Sequence, residues 1–270
     1  MRQAFTDKKR VAIIDTGTNT FHLLIIDIEN ARAVNQVHKS HVAVKLAEGG
    51  LDKSIIAPQP YQRGMDAFDL FKSVCNKNGV EAVYATGTAA LREAANAGEF
   101  IEDVKTRTGI TINVISGDDE AELIWQGVRN ALNMGTEQSL IMDIGGGSTE
   151  FIIASHDEIK WKKSYKAGAA LLIEKFKPAA PVTAADINAL ELFLSNELQD
   201  LIEAINKYQP QTLIGSSGSF DTFADVITLK NNTHHLLQNQ TTYDFNLDDY
   251  KRSEEHTSEL QSRFGISYAV

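Results

Sequence analysis

The chain has one cysteine, Cys75, and five prolines in 270 residues. A single thiol forms no internal disulfide, which excludes a stapled secreted scaffold and points to a reducing compartment, the cytoplasm. Scarce proline beside 43% hydrophobic residues excludes disorder as the main state. Long apolar runs are missing: stretches such as Leu23–Ile26 and Phe151–Ala154 fall far short of the roughly 20 residues of a spanning helix. No apolar signal core precedes Asp7 either, so no membrane association is expected. A basic excess is also lacking. The formal net charge of −10 argues against a nucleic-acid partner. It leaves a small or linear polyanion open as substrate, because N–H groups, a metal ion and a few cations can hold phosphate on an acidic protein.

The C-terminal stretch Arg252–Ser262 resembles the in-frame translation of a sequencing-library adapter. Residues 252–270 are therefore expected to be a non-native tail and are set aside from fold reasoning. The remainder keeps 24 basic and 33 acidic residues, a net of −9, so the charge argument stands. A natural C-terminus replaced in this way would leave apolar faces of the last domain uncovered.

Hydrophobic periodicity alternates between strands and helices. Val11–Ile14 and Phe21–Ile28 read as a hairpin around Asp15–Thr20, and Val34–Leu46 as a further strand. Pro58–Asn76 reads as helix, Val80–Tyr84 as strand, Thr88–Thr108 as one helix and Ile110–Ile115 as strand. Asp118–Leu132 reads as helix, with Asp118, Asp119 and Glu120 suited to its positive end. Ser139–Ile144 and Ser148–Ala154 are strands around Gly145–Gly147. Ile159–Tyr165 is another strand, and Ala167–Phe176 a short helix. Thr183 caps a long helix to Tyr208 with Ile187, Leu190, Phe193, Leu194, Leu198, Leu201, Ile202 and Ile205 inward. Thr212–Ile214 is a strand leading into the loop Gly215–Ser219. This alternation predicts an α/β fold.

One internal repeat organises the chain. IIDTGTNTFHLLIIDI at 13–28 and IMDIGGGSTEFIIASH at 141–156 share a plan of apolar strand, Asp-x-Gly, small polar residues and apolar strand, 128 positions apart. The repeat predicts two similar half-domains, each bringing one glycine-containing loop to a shared cleft. Glycine lets backbone N–H groups approach phosphate oxygens, and Ser and Thr hydroxyls add neutral donors. The candidate cradle comprises Gly17, Thr18 and Asn19; Gly145, Gly146, Gly147 and Ser148; and Gly215, Ser217, Gly218 and Ser219. No P-loop signature is present, the dinucleotide fingerprint is lacking, and no Gly-x-Ser-x-Gly or Ser/His/Asp arrangement supports acyl hydrolysis.

Asp15 and Asp143 each end an apolar strand, where a charge needs a reason: turn capping is one, a hard Mg²⁺ ion bridging phosphate oxygens another. Glu150 opens a strand and Glu120 a helix, and a carboxylate opposite a phosphoryl group can take a proton from water. From spacing alone, Asp118 and Asp119 compete with Glu120 for that role. Arg92 can reach phosphate in bidentate fashion. His22, between Phe21 and Leu23, reads as a structural histidine rather than a base. The histidines and Cys75 show no zinc spacing.

VAIIDTGTNTFHLLI, ATGTAALREA, ISGDDEAELIWQGV, LIMDIGGGSTEFII and IGSSGSF, in that order over roughly residues 10–250, resemble the exopolyphosphatase / guanosine pentaphosphate phosphohydrolase (Ppx/GppA) family. The resemblance implies the fold of actin, sugar kinases and heat-shock ATPases: two RNase H-like domains flanking a cleft, here residues 1–125 and 126–251, the second truncated. It implies Mg²⁺-dependent release of terminal phosphate from polyphosphate or of the 5′ γ-phosphate of guanosine pentaphosphate. By position it assigns Glu120 as catalytic base, and Asp143 and Glu150 to the metal and catalytic centre. It puts Asp15, Thr18 and Asn19 in the first phosphate loop and Gly145–Ser148 in the second, makes Arg92 a substrate-binding arginine, and gives Lys45 the place of a basic residue. Related proteins often form homodimers. Two other readings remain: a kinase of the same fold, which would need ADP as acceptor, and a non-catalytic polyphosphate or nucleotide sensor.

Overall fold

The computed structural model describes residues 8–30, 32–50, 54–231, 233, 242–246 and 248; the expected tail at 252–270 lies outside them. The β-branched run at the start of the chain builds β1 (Lys8–Thr16), which turns through Gly17–Asn19 into β2 (Thr20–Glu29) and pairs with it antiparallel. β3 (Arg32–Ala43) adds antiparallel to β2. Helix α1 (Pro58–Lys77) follows, with Pro58 suited to its first turn. It leads to β4 (Ala82–Gly87), parallel to β1. Two helices, α2 (Ala89–Glu93) and α3 (Ala97–Thr108), precede β5 (Ile112–Val114), parallel to β4. The sheet order is β3-β2-β1-β4-β5. One face carries Ile14, Leu23, Ile25, Ala85 and Ile112 into a core with Phe68 and Phe71 of α1 and Phe100 and Val104 of α3.

The single helix expected over Thr88–Thr108 is two. Ala94 is extended, and Asn96 turns its amide onto a neighbouring segment. Asn96 Nδ2 donates to Ile56 O at 3.0 Å and Ile56 N donates to Asn96 Oδ1 at 2.8 Å. The Ala95 N–H goes to Ser54 O at 2.7 Å. A side chain that satisfies a foreign backbone pair at the break outweighs the continuous helix that periodicity favoured.

The second sheet repeats this plan. α4 (Gly117–Ala131) leads to the hairpin β6 (Ser139–Ile144) and β7 (Thr149–Ala154), and β8 (Ile159–Tyr165) adds antiparallel to β7. After α5 (Ala169–Phe176), α6 (Ala184–Glu197) and α7 (Gln199–Tyr208), strand β9 (Thr212–Ser216) joins parallel to β6, and α8 (Gly218–Lys230) follows. The order β8-β7-β6-β9 matches β3-β2-β1-β4 of the first sheet. Every residue of β7 is buried, because α4 covers one face through Ala121, Trp125 and Val128 and α7 the other through Leu201.

Thr183 does cap its helix, in a reciprocal capping box with Asp186. The helix nevertheless ends at Leu198, and α7 restarts there. Of the residues expected inward, only Leu201 is buried, while Ile187 and Ile202 are each half exposed at 50%. α7 docks on the sheet, where Tyr165 Oη donates to Asp200 Oδ1 at 2.6 Å, whereas α6 buries no residue.

The chain divides into two compact units at Ser116/Gly117, not at 125/126. A boundary at 125 would cut α4 in half. The whole helix belongs with the second sheet, held by its buried face, by Lys162 Nζ to Glu122 Oε2 at 3.0 Å and by Trp125 Nε1 donating to Ser155 O at 2.9 Å. Among the described residues no helix is long and apolar enough to cross a membrane.

Candidate active site

Strand register assembles the site. Directly opposed residues on neighbouring strands share a face. In the second unit this sets Ser164, Glu150, Asp143 and Ser216 in one row across β8, β7, β6 and β9. Glu150 is 1% exposed, and Ser164 Oγ donates to its Oε1 at 2.6 Å. Burial pushes the Asp143 carboxyl upward from its ordinary value, and hydrogen bonds from the Ser216 and Ser217 hydroxyls pull it back. Two carboxylates with Cβ atoms about 5 Å apart repel each other unless a cation or a proton sits between them.

The hairpin tip beyond this pair is a turn closed by Gly145 N donating to Ser148 O at 3.0 Å. Its carbonyls are pinned from behind: Ala169 N donates to Gly145 O at 2.9 Å, Leu171 N to Gly146 O at 3.1 Å and Gly168 N to Gly147 O at 3.3 Å. The N–H groups of Gly146 and Gly147 take no backbone carbonyl among the described residues. Gly168 permits this backing, since a Cβ there would stand 2.5 Å from the Gly146 and Gly147 backbone.

The first unit builds the same device. Leu46 N donates to Thr18 O at 2.7 Å, and Val44 N and Lys45 N donate to Asn19 O at 2.9 and 2.7 Å. Arg63 Nε steadies that backing segment at Val44 O, 2.7 Å away. The N–H groups of Thr18 and Asn19 likewise take no backbone carbonyl among the described residues. A Cβ on Gly17 would meet Thr20 O at 2.9 Å, and one on Gly145 would meet Ser148 O at 3.0 Å, so both glycines are required by the same close approach. The row below this loop is His41, His22, Asp15, Thr86 and Asn113 across β3, β2, β1, β4 and β5. Thr16 Oγ1 donates to Thr86 O at 2.6 Å and ties β1 to β4. Partial desolvation against the sheet, with the neighbouring His41 and positive Lys39, holds the His22 imidazole below its ordinary value although the side chain keeps an exposed edge. His22 is exposed on the row that carries Asp15, on the face opposite the aromatic core.

Glu120 stands in the first turn of α4. The contacts of Glu122 with Lys162 and of Trp125 with Ser155 align α4 with β7, so its first turn lies toward the Glu150 end. Glu120 is half-buried there, while Asp118 and Asp119 are exposed. Arg92 belongs to the first unit, where its Nη1 donates to Ile115 O at 3.0 Å. The expected loop 215–219 is instead the end of β9 and the start of α8. Ser217 and Ser219 donate to Ile144 O at 3.1 and 3.4 Å. The sequence reading missed Ser164 and Gly168, and held Ser216 only as part of the Gly215–Ser219 loop, without its place beside Asp143. Gly168 follows the Tyr165 strand end as a lone glycine, a signal of close approach, whereas the two serines become visible only through strand register.

The profile described as the Ppx/GppA phosphatase family matches residues 24–263. A guanosine-5′-triphosphate,3′-diphosphate pyrophosphatase of Photobacterium profundum is 32% identical over 216 residues, 80% of this chain and 43% of that protein. A protein of the same name from Vibrio cholerae gives the same figures. The chain thus spans less than half the length of these curated relatives, 43%. An exopolyphosphatase from Cytophaga hutchinsonii superposes with a TM-score of 0.90 at 37% identity, covering 96% of this chain and 84% of that one. The Aquifex aeolicus member of the Ppx/GppA family gives 0.72 at 23% identity, over 97% and 84%.

Proposed function

The chain belongs to the Ppx/GppA phosphatase family and has its actin-like α/β fold, and from that premise we propose that it is a Mg²⁺-dependent phosphoanhydride hydrolase. Its substrates are inorganic polyphosphate, guanosine pentaphosphate or both. The observation that carries this reading is the second unit's row: a buried Glu150 and a half-buried Asp143 side by side under a tip where the Gly146 and Gly147 N–H groups take no backbone carbonyl among the described residues.

The donor set fits a hard divalent cation. Asp143 and Glu150 offer oxygen only, and among the described residues no third acidic, His or Cys side chain completes a cage. Mg²⁺ commonly takes one or two carboxylates and leaves its other positions to water and phosphate oxygens. Bound there, it would neutralise phosphate charge and polarise the terminal phosphoryl group.

The chain's own residues do the rest. Taken by itself, the second unit's tip offers the Gly146 and Gly147 N–H groups to phosphate oxygens, and the first unit's tip offers those of Thr18 and Asn19; each is a neutral donor set that carries no counter-charge to be desolvated. Glu120 accepts a proton from the attacking water as its oxygen bonds to the terminal phosphorus. The phosphoanhydride bond breaks, and the products are inorganic phosphate and a chain one phosphate shorter.

Phosphate release is the test, with long-chain polyphosphate and guanosine pentaphosphate side by side in the presence of Mg²⁺. Glu120→Gln is expected to lower turnover by roughly 10²–10⁴-fold while substrate binding persists. Unchanged turnover would remove Glu120 as the base. No release by the folded wild-type protein, with release on adding ADP, would favour the kinase reading.

A further inference from the structure

The Glu150 side chain has left water almost entirely, and a buried carboxylate needs hydrogen bonds to its oxygens. Ser164 supplies one. Its Oγ donates to Glu150 Oε1 at 2.6 Å, the short distance of a charge-assisted bond. The serine reaches the carboxylate because β8 pairs with β7 without a shift over this stretch: Thr149 faces Tyr165, Glu150 faces Ser164 and Phe151 faces Lys163. The strand is pinned on both sides of Ser164. Lys162 Nζ donates to Glu122 Oε2 of α4 at 3.0 Å, Tyr165 Oη to Asp200 Oδ1 of α7 at 2.6 Å, and Thr149 Oγ1 to Ala167 O at 2.9 Å. The hydroxyl therefore meets Glu150 from a fixed direction. At the matching place in the first unit His41 stands opposite His22, so the serine goes with the carboxylate pair and not with the shared frame.

That direction matters for a cation. Mg²⁺ is small, demands near-octahedral geometry and keeps several waters, whereas Ca²⁺ takes more oxygens at longer distances and accepts both oxygens of one carboxylate. The Ser164 proton draws charge from Oε1 and fixes the plane of the carboxylate, which favours a cation held through one oxygen. We infer that Ser164 is a positioning residue for Glu150: its hydroxyl holds the carboxylate to one-oxygen binding and so makes the site prefer Mg²⁺ over Ca²⁺. The inference rests on the reading of Glu150 as a Mg²⁺ ligand. A purely structural serine, there only to satisfy a buried carboxylate, would change stability and leave the choice between cations alone.

Ser164→Ala removes the hydroxyl. Ser164→Cys fills nearly the same space with a weak donor that hard cations ignore, and Ser164→Thr keeps the hydroxyl. Titration calorimetry of the 270-residue chain, with Mg²⁺ alone and with Ca²⁺ alone, should show wild type and Ser164→Thr binding Mg²⁺ the more tightly. In Ser164→Ala and Ser164→Cys the Mg²⁺ affinity should fall about 10–100-fold. Ca²⁺ affinity should fall less, so the ratio of the two moves toward Ca²⁺ by about tenfold or more. A wild-type preference for Ca²⁺, or an unchanged ratio in a folded Ser164→Ala or Ser164→Cys protein, would overturn the positioning role whatever happens to Tm. An equal shift in Ser164→Thr would overturn it too, since the hydroxyl would then not be the determinant. A wild-type protein that neither binds Mg²⁺ nor releases phosphate would instead remove the hydrolase reading itself.

Discussion

Position for position, the row that carries Glu150 in the second unit carries His22 in the first: Asp143 opposes Glu150 across β6–β7, and Asp15 opposes His22 across β1–β2. Both units share the hairpin and a tip whose carbonyls are pinned from behind, at Thr18 and Asn19 in the first and at Gly145, Gly146 and Gly147 in the second. The side chains differ, and so does their burial, since Glu150 is enclosed and His22 is exposed. One frame therefore serves two purposes. The N–H tip is common to both units because it is made of backbone and depends only on the hairpin and on a glycine where the chain comes close to itself. The second unit adds paired anionic oxygens, which suit a hard cation. The first offers an imidazole, whose N–H can donate to an anion, beside a single carboxylate, which only accepts.

Exchanging charge at the matched positions gives the largest effect. Glu150→Gln is expected to weaken Mg²⁺ binding by roughly 100-fold or more, whereas His22→Gln should leave it unchanged. Comparable losses in both, read by calorimetry, would break the division between the units. Next in size is the shared tip. Gly17→Ala and Gly145→Ala meet nearly the same obstacle, a carbonyl three residues on. Each should cost about 1–3 kcal/mol in urea unfolding. A large cost at one and none at the other would end the equivalence of the two turns.

The smallest effect sharpens the contrast through pH. His22 has a folded value below its ordinary 6.5, so between those values the unfolded chain binds more protons and stability rises with pH. Its contribution is complete above about 6.5 and fades as pH falls. Asp143 has the opposite sign. Its folded value lies above its ordinary 3.8, the native chain binds more protons in that window, and stability falls as pH rises through it. Denaturant midpoints measured from pH 4 to 7 should therefore lose the upper rise in His22→Gln and the lower fall in Asp143→Asn. Slopes that both variants leave intact would show that neither group is perturbed by its row.

Much of this was legible in order along the chain. The spacing between Asp15 and Asp143 located both hairpins, and glycine marked both tips. The acidic trio in the first turn of α4 is not resolved by spacing, and only the family resemblance singles out Glu120. Burial separates Glu120 from Asp118 and Asp119 only once Ala121 and Trp125 are seen to seat the helix on β7. The breaks at Ala94–Asn96 and Leu198 escaped periodicity because their causes are distant. Ile56 lies 40 positions from the Asn96 side chain it binds, and Tyr165 lies 35 from Asp200.

Local periodicity and what a tight turn can hold were enough to establish the repeat, the α/β alternation, the loop glycines and the set of acidic residues. Which carboxylates stand together, that Ser164 serves Glu150 and where the units divide came from the packed chain alone. Strand register sets those neighbours, and register is fixed by packing both faces of a sheet at once, a condition that no single stretch of chain contains.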